Sequence, residues 1–223
     1  MEPRFAGRFS LADSITLLNA ALGFLAVIIS FDDPSLGARL ILLAAIADGL
    51  DGIVARYMGG SEIGPYLDSL ADTVSFGVAP AVLVYSIFSN ADIAFGIWQI
   101  LTYAVPMLFV AAVVTRLALY TVYDIDDAYT VGVPSTLAST VISAGVLTSF
   151  VSPEALLGLT AVFCYLMIID VDYPDLLPRD ALLMGAIQVL AILVPTAFSG
   201  IFPIILLLGA LAYLVFGPIL YWR

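Results

Sequence analysis

The stretch DGLDGIVARYMGGSEIGPYLDSLAD, Asp48 to Asp72, places four carboxylates in segments that are otherwise apolar enough to cross a membrane. Ionised groups at that depth need a cation or a partner. Asp48 and Asp51 are spaced i, i+3, and Asp68 and Asp72 are spaced i, i+4, so on helices each pair shares one face. The polar turn from Tyr57 to Ile63 must join the two helices on one side of the bilayer. Asp48 lies eight residues before Arg56 and Asp72 lies eight residues after Gly64, which is about 12 Å of helix in each case. The spacing therefore predicts Asp48 and Asp72 at one depth, with Asp51 and Asp68 nearer the water, in an oxygen-rich cluster a little below one membrane surface. Such a cluster suits Mg²⁺ or Mn²⁺, hard cations that take carboxylate oxygens, and the four charges match two ions. Aspartates in soluble proteins usually cap helices or face solvent at loop ends, but here apolar sequence continues on both sides.

Working outward, the chain has 223 residues and is 62% hydrophobic, with a mean hydropathy of +1.11. That composition predicts an all-α, polytopic transmembrane helix bundle. Long unbroken apolar runs exclude the alternating pattern of a membrane β-barrel. The net charge of -11 argues against nucleic acid as a partner. Acidity with arginine as the sole basic residue type is compatible with a high-salt cytoplasm. With no histidine in the chain, a general base must be a carboxylate or another group. The single cysteine, Cys164, lies in an apolar run and reads as core packing.

Apolar segments fall at about 15–31, 36–56, 64–88, 97–120, 134–150, 155–169, 181–198 and 201–221, which predicts eight spans. The N-terminal residues 1–14 read as an interfacial segment, with Phe5 and Phe9 on the lipid headgroups. Residues 15–175 read as the core and residues 176–223 as two further C-terminal helices. Arg4, Arg8, Arg56, Arg116, Arg179 and Arg223 fall on one face and Arg39 near the other, so both termini are expected in the cytoplasm, on the side of the turn from Tyr57 to Ile63. Residues 121–133, with Asp124, Asp126 and Asp127, read as a solvated loop, and residues 169–180 as a turn between helices. Trp98, Tyr221 and Trp222 read as interfacial anchors.

The pattern Asp48-x-x-Asp51-Gly52-x-x-Ala55-Arg56, seven residues, then Gly64-x-x-x-Asp68-x-x-x-Asp72 resembles the signature of the CDP-alcohol phosphotransferases, integral membrane enzymes of phospholipid synthesis. The turn between the two halves is one residue shorter than is usual there. The resemblance implies displacement of CMP from a CDP-linked lipid by a hydroxyl, with two divalent ions, and a six-helix core. It implies that Asp48, Asp51 and Asp68 are metal ligands, and that Asp72 ligates or neighbours the second metal and acts as general base. Gly52, Ala55 and Arg56 would line the cytidine diphosphate site, with Gly64 beside them. It also implies a homodimer in the cell membrane.

Further stretches resemble the branch of that family that transfers to serine. They are Ile15-Thr16-Leu17-Leu18-Asn19 with Leu22-Gly23-Phe24-Leu25-Ala26, the run from Leu67 to Ala81, Gly132-Val133-Pro134-Ser135, and Tyr173-Pro174. By that resemblance the donor is CDP-diacylglycerol or CDP-archaeol and the acceptor is L-serine, with glycerol phosphate and inositol phosphate as the alternatives. Arg116-Leu117-Ala118-Leu119-Tyr120 stands where that branch has Arg-Leu-Ala-Arg-Phe, and Thr136 stands where proline is common. Arg116, Ser75, Ser135 and Thr136 are candidates for the acceptor site, although Arg116 reads equally as a snorkelling topology signal. Asn19 and Thr16 either reach the nucleotide or hydrogen-bond between helices. An ion-coupled transporter would also place acids within helices, but it has no use for the Gly-x-x-Ala-Arg insert.

The arginine distribution makes a prediction independent of the resemblance. Cysteines introduced at Ser61 and Asp126 should react with an impermeant thiol reagent from the cytoplasmic side, and those at Asp33 and Asn90 from the outside. The reversed pattern would remove the cytoplasmic active site.

Overall fold

The computed structural model describes residues 7–91, 96–124, 129–148, 150–174 and 177–220. Arg4, Phe5, Asp126, Asp127, Tyr221, Trp222 and Arg223 lie outside the described residues. Helix α1 spans Leu11–Ile29 and opens on a capping box in which Ser10 and Asp13 exchange hydrogen bonds. Helix α2, Pro34–Met58, starts on an Asp33 cap with proline in its first turn. Helix α3, Gly64–Asp72, runs through a π-helical turn at Thr73–Val78 into α4, Ala79–Ser89. Helix α5 spans Ile97–Leu119 and ends in a second π turn, Tyr120–Asp124. Helices α6, Ser135–Leu147, and α7, Pro153–Leu166, follow. Helices α8, Pro178–Leu193, and α9, Ile201–Leu220, complete the described chain.

The chain is thus mainly helical, and four rods, Leu11–Ile29, Gly64–Ser89, Ile97–Tyr123 and Ala197–Ile219, are long and apolar enough to cross a membrane. Helix α2 has the length, 25 residues, but carries Arg39, Asp48, Asp51 and Arg56. At 13, 14 and 16 residues, α6, α7 and α8 span roughly 20 to 24 Å, less than the ~30 Å hydrocarbon layer. They end sooner than the hydropathy predicts because the chain turns at Thr148, at Met167 and before Pro195.

Small residues bring the helices around the carboxylates together. Ala26, Ala38, Ile41, Ala44, Phe76, Ala79 and Leu83 form one buried cluster between α1, α2 and the rod from α3 to α4. At Gly23 an added Cβ would lie 2.6 Å from the Ser75 Cα, so the α1 backbone rests directly on the π turn. Such close approach is how helices pack where lipid supplies no hydrophobic drive between them. A larger cluster, with Phe88, Phe109, Phe163 and Met167 fully buried, joins α4 to α5, α6 and α7 and reaches α8 and α9. Gln188 on α8 donates to the Leu42 carbonyl on α2 at 2.7 Å, fastening the C-terminal helices to the carboxylate-bearing helix.

The all-α expectation needs one correction. Strand β1, Tyr129–Val131, pairs antiparallel with β2, Asp172–Pro174, in the register Tyr129 to Pro174 and Val131 to Asp172. The two links read as a solvated loop and a plain turn are therefore joined. Two tyrosines brace the ribbon on α9, the Tyr213 hydroxyl donating to the Pro174 carbonyl at 2.6 Å and the Tyr173 hydroxyl to the Leu214 carbonyl at 3.1 Å. Gly132 follows β1 at φ +76°, and a Cβ there would collide with the Met167 carbonyl.

Gly132→Ala should therefore lower stability by about 1–3 kcal/mol, read as a fall in thermal unfolding temperature in detergent. Gly145→Ala is the control, since its Cβ would meet Leu156 Cδ1 at an ordinary 3.6 Å. Equal behaviour of the two variants would remove the steric account of Gly132.

Candidate active site

The four carboxylates reach the site from two helices. Asp48 and Asp51 stand on the last three turns of α2, and Asp68 and Asp72 on α3. One carboxylate oxygen from each of Asp48, Asp68 and Asp72 lies within 4.8 Å of the other two. Asp51 is set apart from this trio, with its Oδ2 accepting the Thr16 hydroxyl at 2.6 Å. It is still close enough for its charge to act on Asp48 and Asp68.

Three carboxylates at this separation repel by on the order of 3 kcal/mol per ionised pair at an effective dielectric constant of 20. Among the described residues the trio forms no ion pair; the pair that is present, Arg179 with Asp180 at 3.5 Å, lies elsewhere. The donor set fits a hard divalent cation, which would turn that repulsion into ligation.

Helix α1 closes the site from the side. Asn19, fully buried, donates from Nδ2 to Asp72 Oδ1 at 3.1 Å. Because an ionised carboxylate only accepts, this bond fixes the amide orientation and leaves Asn19 Oδ1 as a buried acceptor without a partner among the described residues. An orphaned buried acceptor costs about 1–3 kcal/mol, so a donor carried in by a hydrated cation or a ligand is the natural completion. Thr16 and Asn19, left between two roles by the sequence, make interhelical bonds to two different carboxylates.

The residues expected at the donor site divide by exposure. Arg56 is exposed at the end of α2, and Ala55 is half-buried beside it. A Cβ added at Gly52 would meet no atom within 4 Å, so that face of α2 opens onto free space. At Gly64 the added Cβ would lie 3.5 Å from Asp13 Oδ1, so this glycine faces α1.

The acceptor candidates are more dispersed. Arg116 is buried near the end of α5, donates from a terminal guanidinium nitrogen to Ser135 Oγ at 3.4 Å and stacks 5.7 Å from the Tyr120 ring centroid. It borders a cavity of about 180 Å³ with Tyr123, Val131 and Met167. Thr136 is half-buried next to Ser135. Ser75 is fully buried and donates to the Ala71 carbonyl at 3.0 Å, so it can offer a ligand only lone pairs. Sequence reasoning missed Asp13 and Ser61, which bond across the mouth of the site at 3.0 Å. The Ser-x-x-Asp spacing at residues 10–13 signals a helix cap and hides the second use of the carboxylate.

If the trio holds a divalent ion, Mn²⁺ at about 100 times its Kd should stabilise the fold by about 2.7 kcal/mol, seen as a rise in unfolding temperature. Asp48→Asn and Asp68→Asn should lose most of that rise while folding without the ion. A rise of the same size in both variants would place the ion elsewhere.

Residues 9–173 match the CDP-alcohol phosphatidyltransferase family. The chain is 36% identical over 178 residues to an archaetidylserine synthase of Methanothermobacter thermautotrophicus, covering 78% of this chain and 73% of that protein. It is 31% identical over 215 residues to a CDP-diacylglycerol–serine O-phosphatidyltransferase of Methanocaldococcus jannaschii, covering 96% of this chain and 95% of the relative. A shorter match, 42% identical over 86 residues, covers 34% of this chain and 31% of the Saccharomyces cerevisiae enzyme of the same name. With the signature complete, three of its four carboxylates converging, and the match running through most of the chain, this protein belongs to the CDP-alcohol phosphatidyltransferase family.

Proposed function

We propose that the protein transfers a phosphatidyl or archaetidyl group from CDP-diacylglycerol or CDP-archaeol to the hydroxyl of L-serine, releasing CMP. The observation that carries this reading is the convergence of Asp48, Asp68 and Asp72 from the two halves of one signature. The choice of serine is supported by the two archaeal relatives, matched over 73% and 95% of their lengths.

Asp48, Asp51, Asp68 and Asp72 would hold two divalent ions, Mg²⁺ or Mn²⁺. When bound, such ions neutralise the charge that builds at the donor pyrophosphate. Asn19 holds Asp72 by Oδ1, which orients this carboxylate to take the proton of the serine hydroxyl. The serine oxygen then bonds to the lipid-side phosphorus, the bond from that phosphorus to the bridging oxygen breaks, and CMP departs with the electron pair. Thr16 keeps Asp51 oriented through its 2.6 Å hydrogen bond. Arg56 would pair with the donor phosphates through its planar fork. The free space beside Gly52 suits a nucleotide lying against α2, flanked by Ala55 and Gly64. Arg116, with Ser135 and Thr136, would take the serine carboxylate, with Ser75 contributing acceptance alone. On this reading the chain lies in the cell membrane as six core helices, residues 15–175, plus two, with its active site toward the cytoplasm and a second copy as partner.

Purified protein given CDP-lipid, Mn²⁺ or Mg²⁺ and a panel of serine, glycerol phosphate and inositol phosphate should release CMP with serine and form the serine lipid by mass. Arg116→Lys keeps the charge and loses the fork, so the KM for serine should rise about tenfold or more, well beyond any change in the KM for CDP-lipid. An equal loss for both substrates would reassign Arg116 to the phosphates, and a wild type that uses glycerol phosphate and ignores serine would overturn the acceptor.

A further inference from the structure

We propose that Asp13 is a positioning residue for donor binding, acting through Ser61 to hold the turn between α2 and α3 against α1; this rests on the reading of the site as a CDP-lipid transferase. Asp13 is 2% exposed, and among the described residues no arginine forms an ion pair with it. A buried carboxylate without a cation persists where hydrogen bonds satisfy it. Asp13 has two from different parts of the chain: Oδ2 accepts the Ser10 N–H at 2.6 Å, and Oδ1 accepts the Ser61 hydroxyl at 3.0 Å. The first belongs to the helix cap. The second reaches 48 residues along the chain and has no part in capping.

The turn itself has little to hold it. Gly59, at φ +89°, leaves α2, Gly60 follows, and Ile63, at the N-cap position of α3, offers no side-chain cap. Its own backbone supplies the bonds Gly59 N–H to the Ala55 carbonyl at 3.0 Å and Gly64 N–H to the Ser61 carbonyl at 3.1 Å. Among the described residues, Ser61 to Asp13 is the one side-chain hydrogen bond that ties residues 59–63 to another element. The turn separates Arg56 from Gly64, the two donor-site residues at its ends, and Gly64 packs against the Asp13 carboxylate.

Asp13 is also the first member of a stripe on α1. Asp13 bonds the turn, Thr16 bonds Asp51, Asn19 bonds Asp72 and Gly23 rests on the π turn. The steps of three or four residues keep all of them on one face. Thr16 and Asn19 act on carboxylates that would take part in metal binding and chemistry, whereas Asp13 acts on the segment that joins Arg56 to Gly64. Its loss should therefore appear in donor affinity and leave turnover largely intact.

The test compares Ser61→Ala, Asp13→Asn and Ser10→Ala by kinetics with CDP-lipid and serine, alongside thermal unfolding. Ser61→Ala leaves the helix cap whole and removes one hydrogen bond to a charged group, so the KM for CDP-lipid should rise about tenfold with kcat and the KM for serine within twofold of wild type. Asp13→Asn should raise the same KM, and combining it with Ser61→Ala should add little further. Ser10→Ala, which weakens the cap alone, should lower the unfolding temperature without changing the KM for CDP-lipid. An unchanged KM in Ser61→Ala, or a rise in Ser10→Ala as large as in Ser61→Ala, would reduce Asp13 to a cap and overturn the proposal. A wild type that releases no CMP with any acceptor would instead overturn the transferase reading, so the two failures are distinguishable.

Discussion

Mutual repulsion among Asp48, Asp68 and Asp72 is the constraint that the surrounding structure answers. Ionised carboxylates whose oxygens lie within 4.8 Å do not gather in an apolar bundle unless the fold holds them there and something of opposite charge joins them. The fold supplies the holding. Small residues at Gly23, Ala26, Ala38 and Ala44 let α1 and α2 approach until polar side chains on α1 can reach across. The π turn after Asp72 and the Gly23 contact on Ser75 set how α3 sits against α1. Packing, far from filling the site, is what keeps its charged groups at the distance where a cation becomes the natural counterpart.

On the proposed reading the donor and acceptor sides are built from different parts of the chain. The proposed donor side uses α1, α2 and α3 and is open at Gly52 and exposed at Arg56. The proposed acceptor side gathers around the end of α5, where Arg116 meets Ser135 at the start of α6, and is backed by the ribbon of β1 and β2. That ribbon is braced by Tyr173 and Tyr213 against α9. The C-terminal helices thus bear on both sides, α8 through Gln188 on α2 and α9 through the ribbon.

Much of this was legible in the sequence because helical periodicity is a strong signal. The i, i+3 and i, i+4 spacing of the aspartates put each pair on one face, and the apolar runs located the helical rods. The signal failed where it was short or had two uses. Three-residue strands, one ending in Pro174, carry no alternating run, so the ribbon was read as two unrelated loops. The π turn at Thr73–Val78 contains Gly77, but an isolated glycine inside an apolar helical run does not distinguish a π turn from a plain helix. Helices α6 to α8 end at turns that hydropathy does not register. Asp13 looked like an ordinary cap, and its bond to Ser61 depends on a contact between residues far apart in the chain. The separation of Asp51 from the other three carboxylates depends on the Thr16 hydroxyl, a tertiary choice that spacing cannot express.

The central claim is that the converging carboxylates are a divalent-cation centre. The most direct measurement is anomalous diffraction at the manganese edge from crystals grown with Mn²⁺. The account predicts an anomalous peak within bonding distance of the Asp48, Asp68 and Asp72 carboxylates. Manganese bound at other residues, with no peak among these three, would contradict it.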